Sequence, residues 1–186
     1  MWRNTSTRYG CLNIGLHWII ALLVIGLLAV GLYMTSQKMS PDIMRLYGLH
    51  KSFGVTVLAL MALRLSWRVY NHAPDLPVTM NVLERALAKS THWLFYVLLL
   101  AMPLSGWAMS SAGSHPVSFF GWFTLPSLVA PNKPLGHQFG EAHEIIGWVL
   151  IGLISLHVLA ALYHHFIKKD NVLRRMLPSC TACGKE

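Results

Sequence analysis

A long stretch without charge near the C-terminal end of the sequence sets the strongest limit on the fold. No Asp, Glu, Lys or Arg occurs from Ile145 to Ile167. As a helix these residues would extend about 34 Å, and about 20 apolar residues suffice to cross a bilayer. Only 12% of the 186 residues are charged, whereas soluble domains carry about 25%. The chain is therefore predicted to be an integral membrane protein.

Three further apolar runs complete a predicted set of four membrane spans. The predicted helices cover about residues 14–34, 46–69, 91–109 and 143–167. Residues 110–140 are rich in Gly, Pro and aromatic side chains, which is typical of a loop lying in the membrane interface. The predicted fold class is all-α, an up-down-up-down four-helix bundle, with residues 1–186 as a single domain.

The basic residues are distributed unevenly between the two sides of such a bundle. Eleven of the 15 Lys and Arg lie in residues 1–13, 64–89 and 168–186, which four spans place on one side. By the positive-inside rule both termini are predicted to be cytoplasmic. Because the charges lie at the ends of apolar runs, the net charge of +8 indicates topology control and no nucleic-acid partner. The predicted partner is the lipid bilayer.

Two histidines within the last apolar run indicate a function. His143 and His157 are 14 positions apart, which returns to within roughly 40° of the same helix face and separates the rings by about 21 Å along the axis. Both side chains are therefore predicted to point to one side of a membrane helix at two different depths. Imidazoles inside a membrane are costly without a partner, so such histidines are functional candidates.

Two more histidines have the positions needed to pair with them. In an up-down-up-down bundle, His17 shares the depth of His157, and His50 shares the depth of His143. Two imidazoles that face each other across a bundle core form the axial ligand set of a low-spin haem, whose iron is thereby predicted to carry electrons. The alternative is that these histidines are interfacial or hydrogen-bonded residues of the bundle.

The expected cofactor is two non-covalent haem b groups. The only Cys-x-x-Cys sequence, Cys180 to Cys183, is followed by Gly184 where c-type attachment needs His. Gly54 and Gly147 each follow a predicted ligand by four residues, and are expected to leave room for the macrocycle beside the ligand.

Other polar residues are candidates for contact with haem propionates or substrate. Arg64 and Arg68 are candidate propionate partners on the cytoplasmic side, with topology anchoring as the alternative. Lys51 is the candidate propionate partner on the outer side. His92 could contact a propionate or a quinone, and His164 could replace His157 as a ligand.

The outer side is also predicted to be electropositive, which favours small anions. The residues on which this prediction depends are Lys38, Arg45, Lys51 and Lys133.

These residues together resemble the bacterial cytochrome b561 family of di-haem membrane cytochromes. The resemblance covers nearly the whole chain and is most specific in the histidine spacing. The matching stretches are Leu16-His17-Trp18, Leu49-His50-Lys51-Ser52-Phe53-Gly54, Arg64-Leu65-Ser66-Trp67-Arg68, Phe120-Gly121-Trp122-Phe123, the His143 and His157 pair, and residues 164–171.

The resemblance implies a multi-pass protein of the bacterial inner membrane in which each helix-four histidine pairs with one from helix one or two. One branch of the family oxidises periplasmic superoxide and reduces ubiquinone, which implies a superoxide:ubiquinone oxidoreductase as the leading functional hypothesis. The same layout occurs in cytochrome subunits of formate dehydrogenases and nickel hydrogenases. The alternative is therefore an electron-transfer subunit for a separate dehydrogenase, hydrogenase or periplasmic haem protein.

Overall fold

The computed structural model describes residues 2–6, 8–75 and 80–177. Within them the chain forms four long helices, α1 (Cys11–Ser36), α2 (Pro41–Tyr70), α3 (Val82–Ala112) and α4 (Lys133–Tyr163). Each is long and apolar enough to cross a membrane. The predicted all-α class with four membrane helices is thus confirmed. The Cys180 to Cys183 sequence lies outside the described residues.

The helices extend further than their apolar segments predicted, most clearly at their N-terminal ends. The Ser40 hydroxyl accepts a hydrogen bond from the Ile43 N–H, and Pro41 stands at the first helical position of α2. A capping box between Asn81 and Glu84 begins α3. The α4 helix begins ten residues before the predicted start, where the Asn132 side chain accepts from the Leu135 N–H. These caps are readable in the sequence, but hydropathy alone does not detect polar helical turns.

Adjacent helices run in opposite directions, so the bundle has two distinct ends. The terminal end contains the start of α1, the end of α2, the start of α3 and the end of α4. It is held together by a Lys168–Glu84 ion pair of 2.9 Å and by the Trp18 indole N–H, which donates to the Met176 carbonyl at 2.7 Å. The hairpin end contains the opposite helix ends and a small β-hairpin.

The hairpin consists of two antiparallel strands, β1 (Ser118–Phe119) and β2 (Phe123–Thr124). Ser52 of α2 anchors it: the Ser52 hydroxyl oxygen accepts from the Phe120 N–H at 3.0 Å and lies 3.0 Å from the Ser118 carbonyl oxygen. Phe120 has a φ of 50°, which is unusual for a bulky residue. The Phe120 ring also contacts Phe53 edge-to-face at 5.1 Å. The loop between α3 and α4 is therefore fixed to α2.

The hydrophobic core lies between the two ends of the bundle. Its buried members are Leu16, Ile20, Val24, Val57, Met61, Leu99 and Leu150. Leu150 is only 1% exposed and stands midway between His143 and His157 in α4. Large apolar side chains such as Leu22, Val97 and Leu159 are exposed, which a membrane helix requires on its lipid-facing side. Two histidine-bearing layers are thus separated by a layer of apolar side chains.

Candidate haem sites

At the hairpin end, the predicted pair His50 and His143 is brought together from α2 and α4. The centres of the two rings are 6.3 Å apart and the ring planes are inclined by 73°. Both residues are half-buried. Since α2 and α4 run in the same direction, positions near the starts of both helices lie at one depth.

The Nδ1 atom of the His143 ring contacts polar groups of α3. His143 Nδ1 lies 3.0 Å from the Met102 carbonyl oxygen and 3.1 Å from Ser105 Oγ. The Ser105 hydroxyl donates its own hydrogen to the Met102 carbonyl at 2.8 Å, so both neighbours can accept from the ring. Nδ1 therefore carries the hydrogen in neutral His143, and Nε2 keeps its lone pair for a metal.

His50 has an orphaned polar atom. Its Nδ1 is buried and has no hydrogen-bond partner among the described residues. Buried polar groups are normally hydrogen-bonded, so an unsatisfied ring nitrogen requires an explanation. Coordination or hydrogen bonding by a bound cofactor would supply one.

A cavity of about 540 Å³ adjoins this pair, within the roughly 300–1,000 Å³ range of ligand and cofactor pockets. Its wall is mainly apolar and includes both histidines. Glycines from all four helices contribute to it, namely Gly31, Gly54, Gly106, Gly140 and Gly147. The cavity therefore exists because four helices meet here with little side-chain bulk.

Two of these glycines contact the histidine rings, and sequence reasoning missed both. A Cβ on Gly106 would stand 3.0 Å from His143 Cε1, closer than real Cβ atoms normally approach, whereas a Cβ on Gly31 would stand 3.6 Å from His50 Cε1, an ordinary contact. A Cβ on Gly54 would meet nothing within 4 Å. A glycine inside an apolar helix is itself an unfavourable choice that often has a packing reason, and this signal could have identified Gly106.

At the terminal end, three histidines cluster where two were predicted to pair. The His17 and His157 ring centres are 6.3 Å apart with planes inclined by 63°. The ring centre of His92, from α3, is 6.2 Å from that of His157. Phe95 also packs edge-to-face on His157 at 5.3 Å, a contact that sequence reasoning missed. His92 is thus within reach of the same site as His17, and ring separation alone suits either as the partner of His157.

Arg64 and Arg68 are both half-buried at the terminal end. Arg64 Nη2 lies 3.3 Å from His17 Nδ1. Arg68 lies one turn further along α2, near the phenol of Tyr9. Burial raises the pKa of Tyr9 above its usual value, although the charges of Arg68 and Arg64 act in the opposite direction. Tyr9 therefore stays neutral, so its phenol does not compensate the positive charges of Arg64 and Arg68.

Lys51 lines the hairpin-end cavity, and its ammonium lies 3.5 Å from the His115 carbonyl oxygen. The electropositive character expected of this end is weaker than the sequence reasoning assumed. Carboxylates share the end with the four cations, namely Asp42, Glu141 and Glu144, and Glu144 lines the same cavity as Lys51. These acids offset most of the positive charge that the four cations bring to this end.

His164, the alternative ligand, is engaged elsewhere. It begins a single π-helical turn, His164–Lys168, and its Nδ1 lies 2.5 Å from Asp170 Oδ2. The π turn and the left-handed Lys169 that follows it (φ 54°) end α4. This contact directs the His164 ring toward its own C-terminal segment.

Both facing pairs have the separation that a metal between them would require. A metal–imidazole bond of about 2 Å on each side, with about 1 Å from each nitrogen to its ring centre, places two opposed rings about 6 Å apart. Haem iron receives four nitrogens from the porphyrin and needs only two axial ligands from the protein. The observed 6.3 Å at both ends therefore fits bis-histidine haem.

Comparison with known proteins identifies the family of the chain. Residues 8–179 match the family described as prokaryotic cytochrome b561. Cytochrome b561 homolog 2 of Escherichia coli is 34% identical over 181 residues, which cover 94% of this chain and 93% of that protein. A protein of Yersinia pestis named probable superoxide oxidase CybB is 31% identical and covers 92% of this chain and 96% of its own length. Cytochrome b561 homolog 1 of Escherichia coli is 33% identical, with 92% of this chain and 97% of that protein covered.

The match extends over both histidine-bearing layers and all four helices. Family membership implies haem b as the cofactor and a membrane location, in agreement with the four apolar helices. The chain belongs to the prokaryotic cytochrome b561 family, whose members are haem-binding membrane electron carriers with four transmembrane helices.

Proposed function

We propose that this chain holds two haem b groups and relays electrons across the bacterial inner membrane. His50 and His143 would ligate one iron and His17 and His157 the other. The observation that carries the proposal is the repetition of one geometry, two facing imidazoles 6.3 Å apart, at both ends of the bundle. Haem bound at these sites would supply reversible one-electron chemistry at its iron.

The protein residues would divide the remaining tasks. Lys51 at the hairpin end and Arg68 at the terminal end would offer cations to haem propionates, Arg64 would stand beside His17, and His92 would contact a propionate or a quinone. The apolar layer around Leu150 would keep water from the region between the two sites. Single electrons would then cross between the sites without an aqueous path for protons.

The proposed orientation places the terminal end in the cytoplasm. Its support is the excess of Lys and Arg in the segments at this end, since positive charge near span ends is retained on the cytoplasmic side. The hairpin end, with the cavity and Lys51, would then face the periplasm. A periplasmic electron donor would meet the His50–His143 site first.

We propose superoxide as the donor and ubiquinone as the acceptor. Two superoxide anions would each lose one electron and become O₂, and ubiquinone would gain two electrons and two protons to become ubiquinol. The proposal is supported by the name of the Yersinia pestis relative and by the cationic Lys51 in the cavity wall. Glu144 in the same wall limits the attraction, so the expected steering of an anion by Lys51 is modest.

A second candidate is an electron-transfer subunit for a separate dehydrogenase, hydrogenase or periplasmic haem protein. The exposed hairpin tip favours it: Trp122 is 81% exposed and Phe123 is 56% exposed. Exposed aromatic residues are suited to protein contacts as well as to the membrane interface.

Stopped-flow spectroscopy of the purified protein with superoxide and excess ubiquinone separates the two candidates. The superoxide proposal expects rapid haem reduction and ubiquinol formation. The rate should fall several-fold in Lys51→Gln and much less in Lys38→Gln, an exposed cation of the same end. Haems that stay oxidised with superoxide but are reduced by a periplasmic reductase would overturn it in favour of the subunit.

A further inference from the structure

The ring nitrogens that face away from the two sites meet opposite kinds of partner. At the hairpin end His143 Nδ1 faces a carbonyl oxygen, that of Met102, at 3.0 Å. At the terminal end His17 Nδ1 faces a guanidinium nitrogen, that of Arg64, at 3.3 Å. His17 that binds a metal through Nε2 carries its hydrogen on Nδ1, so Arg64 then stands beside the ring as a fixed positive charge and not as a hydrogen-bond donor. The two ligand pairs are thus alike in separation but not in electrostatics.

The charge beside His17 is fixed, and no described acidic residue forms an ion pair with it. Arginine stays protonated in proteins. Among the described residues no carboxylate lies within 4 Å of the Arg64 guanidinium. Besides His17, the ionisable groups that act on it are the Tyr96 phenol, which is hydrogen-bonded to it, the Tyr9 phenol and the Arg68 guanidinium. A half-buried cation in such surroundings is screened less than a cation in water.

The charges beside the histidine pair at the hairpin end are more nearly balanced than those at the terminal end. Lys51 and Glu144 both line the cavity beside His50 and His143, and their formal charges are opposite. The Met102 carbonyl adds the negative end of a dipole at His143 Nδ1. Its hydrogen bond raises the electron-donating power of the ring.

We infer that Arg64 gives the terminal-end haem the higher reduction potential of the two, so that electrons run from the hairpin end to the terminal end. This inference rests on the proposed function. Reduction lowers the charge of a haem iron by one, so a neighbouring cation favours the reduced form. A more electron-rich ligand favours the oxidised form. Both differences act in one direction, and Arg64 acts by its charge beside His17 without being a ligand.

Optical redox titration of the purified holoprotein tests the inference with a readout other than activity. The wild-type protein is expected to reduce in two one-electron steps. Arg64→Gln should lower the higher of the two reduction potentials by at least 59 mV. For one electron this corresponds to a tenfold change in the ratio of reduced to oxidised haem. The lower reduction potential should not change. Arg64→Lys should retain most of the wild-type value, and Arg174→Gln, an exposed cation at the same end, should change neither step.

A second variant keeps the test decisive if Arg64→Gln loses haem. His143→Ala should retain only the terminal-end haem, and that haem should titrate at the higher of the two wild-type potentials. A remaining haem at the lower potential would overturn the inference, as would an Arg64→Gln protein in which neither step moves because propionates neutralise the cation. Either result is compatible with two haems in the wild-type protein and with the proposed relay. A wild-type protein with no haem or one haem would instead refute the proposed function itself.

Discussion

The two histidine-bearing layers share one geometry but are built differently. At the hairpin end glycines from all four helices open a cavity of about 540 Å³, and α3 holds His143 through the Met102 carbonyl. At the terminal end aromatic and cationic side chains crowd the site, with Phe95 and His92 against His157 and Arg64 against His17. The same facing pair of imidazoles can thus be placed in an open apolar setting or in a packed cationic one. Variants at the two ends should therefore respond differently.

The largest expected effect is the loss of one haem on removal of a histidine from either pair. His143→Ala should reduce the haem content from two per protein to one, because a single remaining imidazole cannot complete the axial set. His157→Ala should do the same at the other end, and the double variant should bind none. Pyridine haemochrome quantification measures the content, and His137→Ala, an exposed histidine, serves as the control. Two haems retained in His143→Ala would contradict the assignment.

The next largest effect is expected from a single methyl group beside His143. A Cβ at residue 106 would stand 3.0 Å from the ring, and overpacking of this kind costs roughly 1–3 kcal/mol. Gly106→Ala should therefore weaken haem binding at the hairpin end about tenfold or more. Gly31→Ala, whose Cβ would stand 3.6 Å from His50, is the matched control. Titration of haem into the apoprotein compares them, and equal affinities would show that His143 can move away.

A smaller effect is expected where the hairpin is fixed to α2. Ser52 is 2% exposed, and Ser52→Ala leaves the Phe120 N–H without its acceptor. An unsatisfied buried donor costs about 1–3 kcal/mol, so the hairpin end should lose its haem absorbance at a lower temperature than the terminal end. Ser66→Ala on the exposed side of α2 is the control. A melting profile unchanged from wild type would mean that the hairpin does not support the site.

The smallest change in haem content is expected from His92→Ala. His17 is the proposed partner of His157, so removal of His92 should leave two haems and alter only the surroundings of the terminal-end site. His17→Ala should leave one. The haemochrome assay that counts haem in the ligand variants also decides this case. The reverse result, one haem in His92→Ala and two in His17→Ala, would transfer the ligand role to His92.

The sequence predicted the features that depend on residue type and spacing along one helix. Runs without charge indicated four membrane spans because charged groups are costly in lipid. The 14-residue spacing of His143 and His157 indicated two layers because helical periodicity is fixed by backbone geometry. Helix starts were less accurate, although Ser40, Asn81 and Asn132 carried readable capping signals.

Only the tertiary structure decided which groups from different helices meet. These contacts depend on how the helices are rotated and offset against one another. They are the contacts of Gly106 with His143, of Arg64 with His17, and of His92 with His157. Apolar runs in a membrane helix are hydrophobic on nearly every side, so the pattern of hydrophobic residues contains little information about rotation. The sequence determined a membrane bundle with paired histidines, and the packing of small and charged side chains between helices made its two ends different.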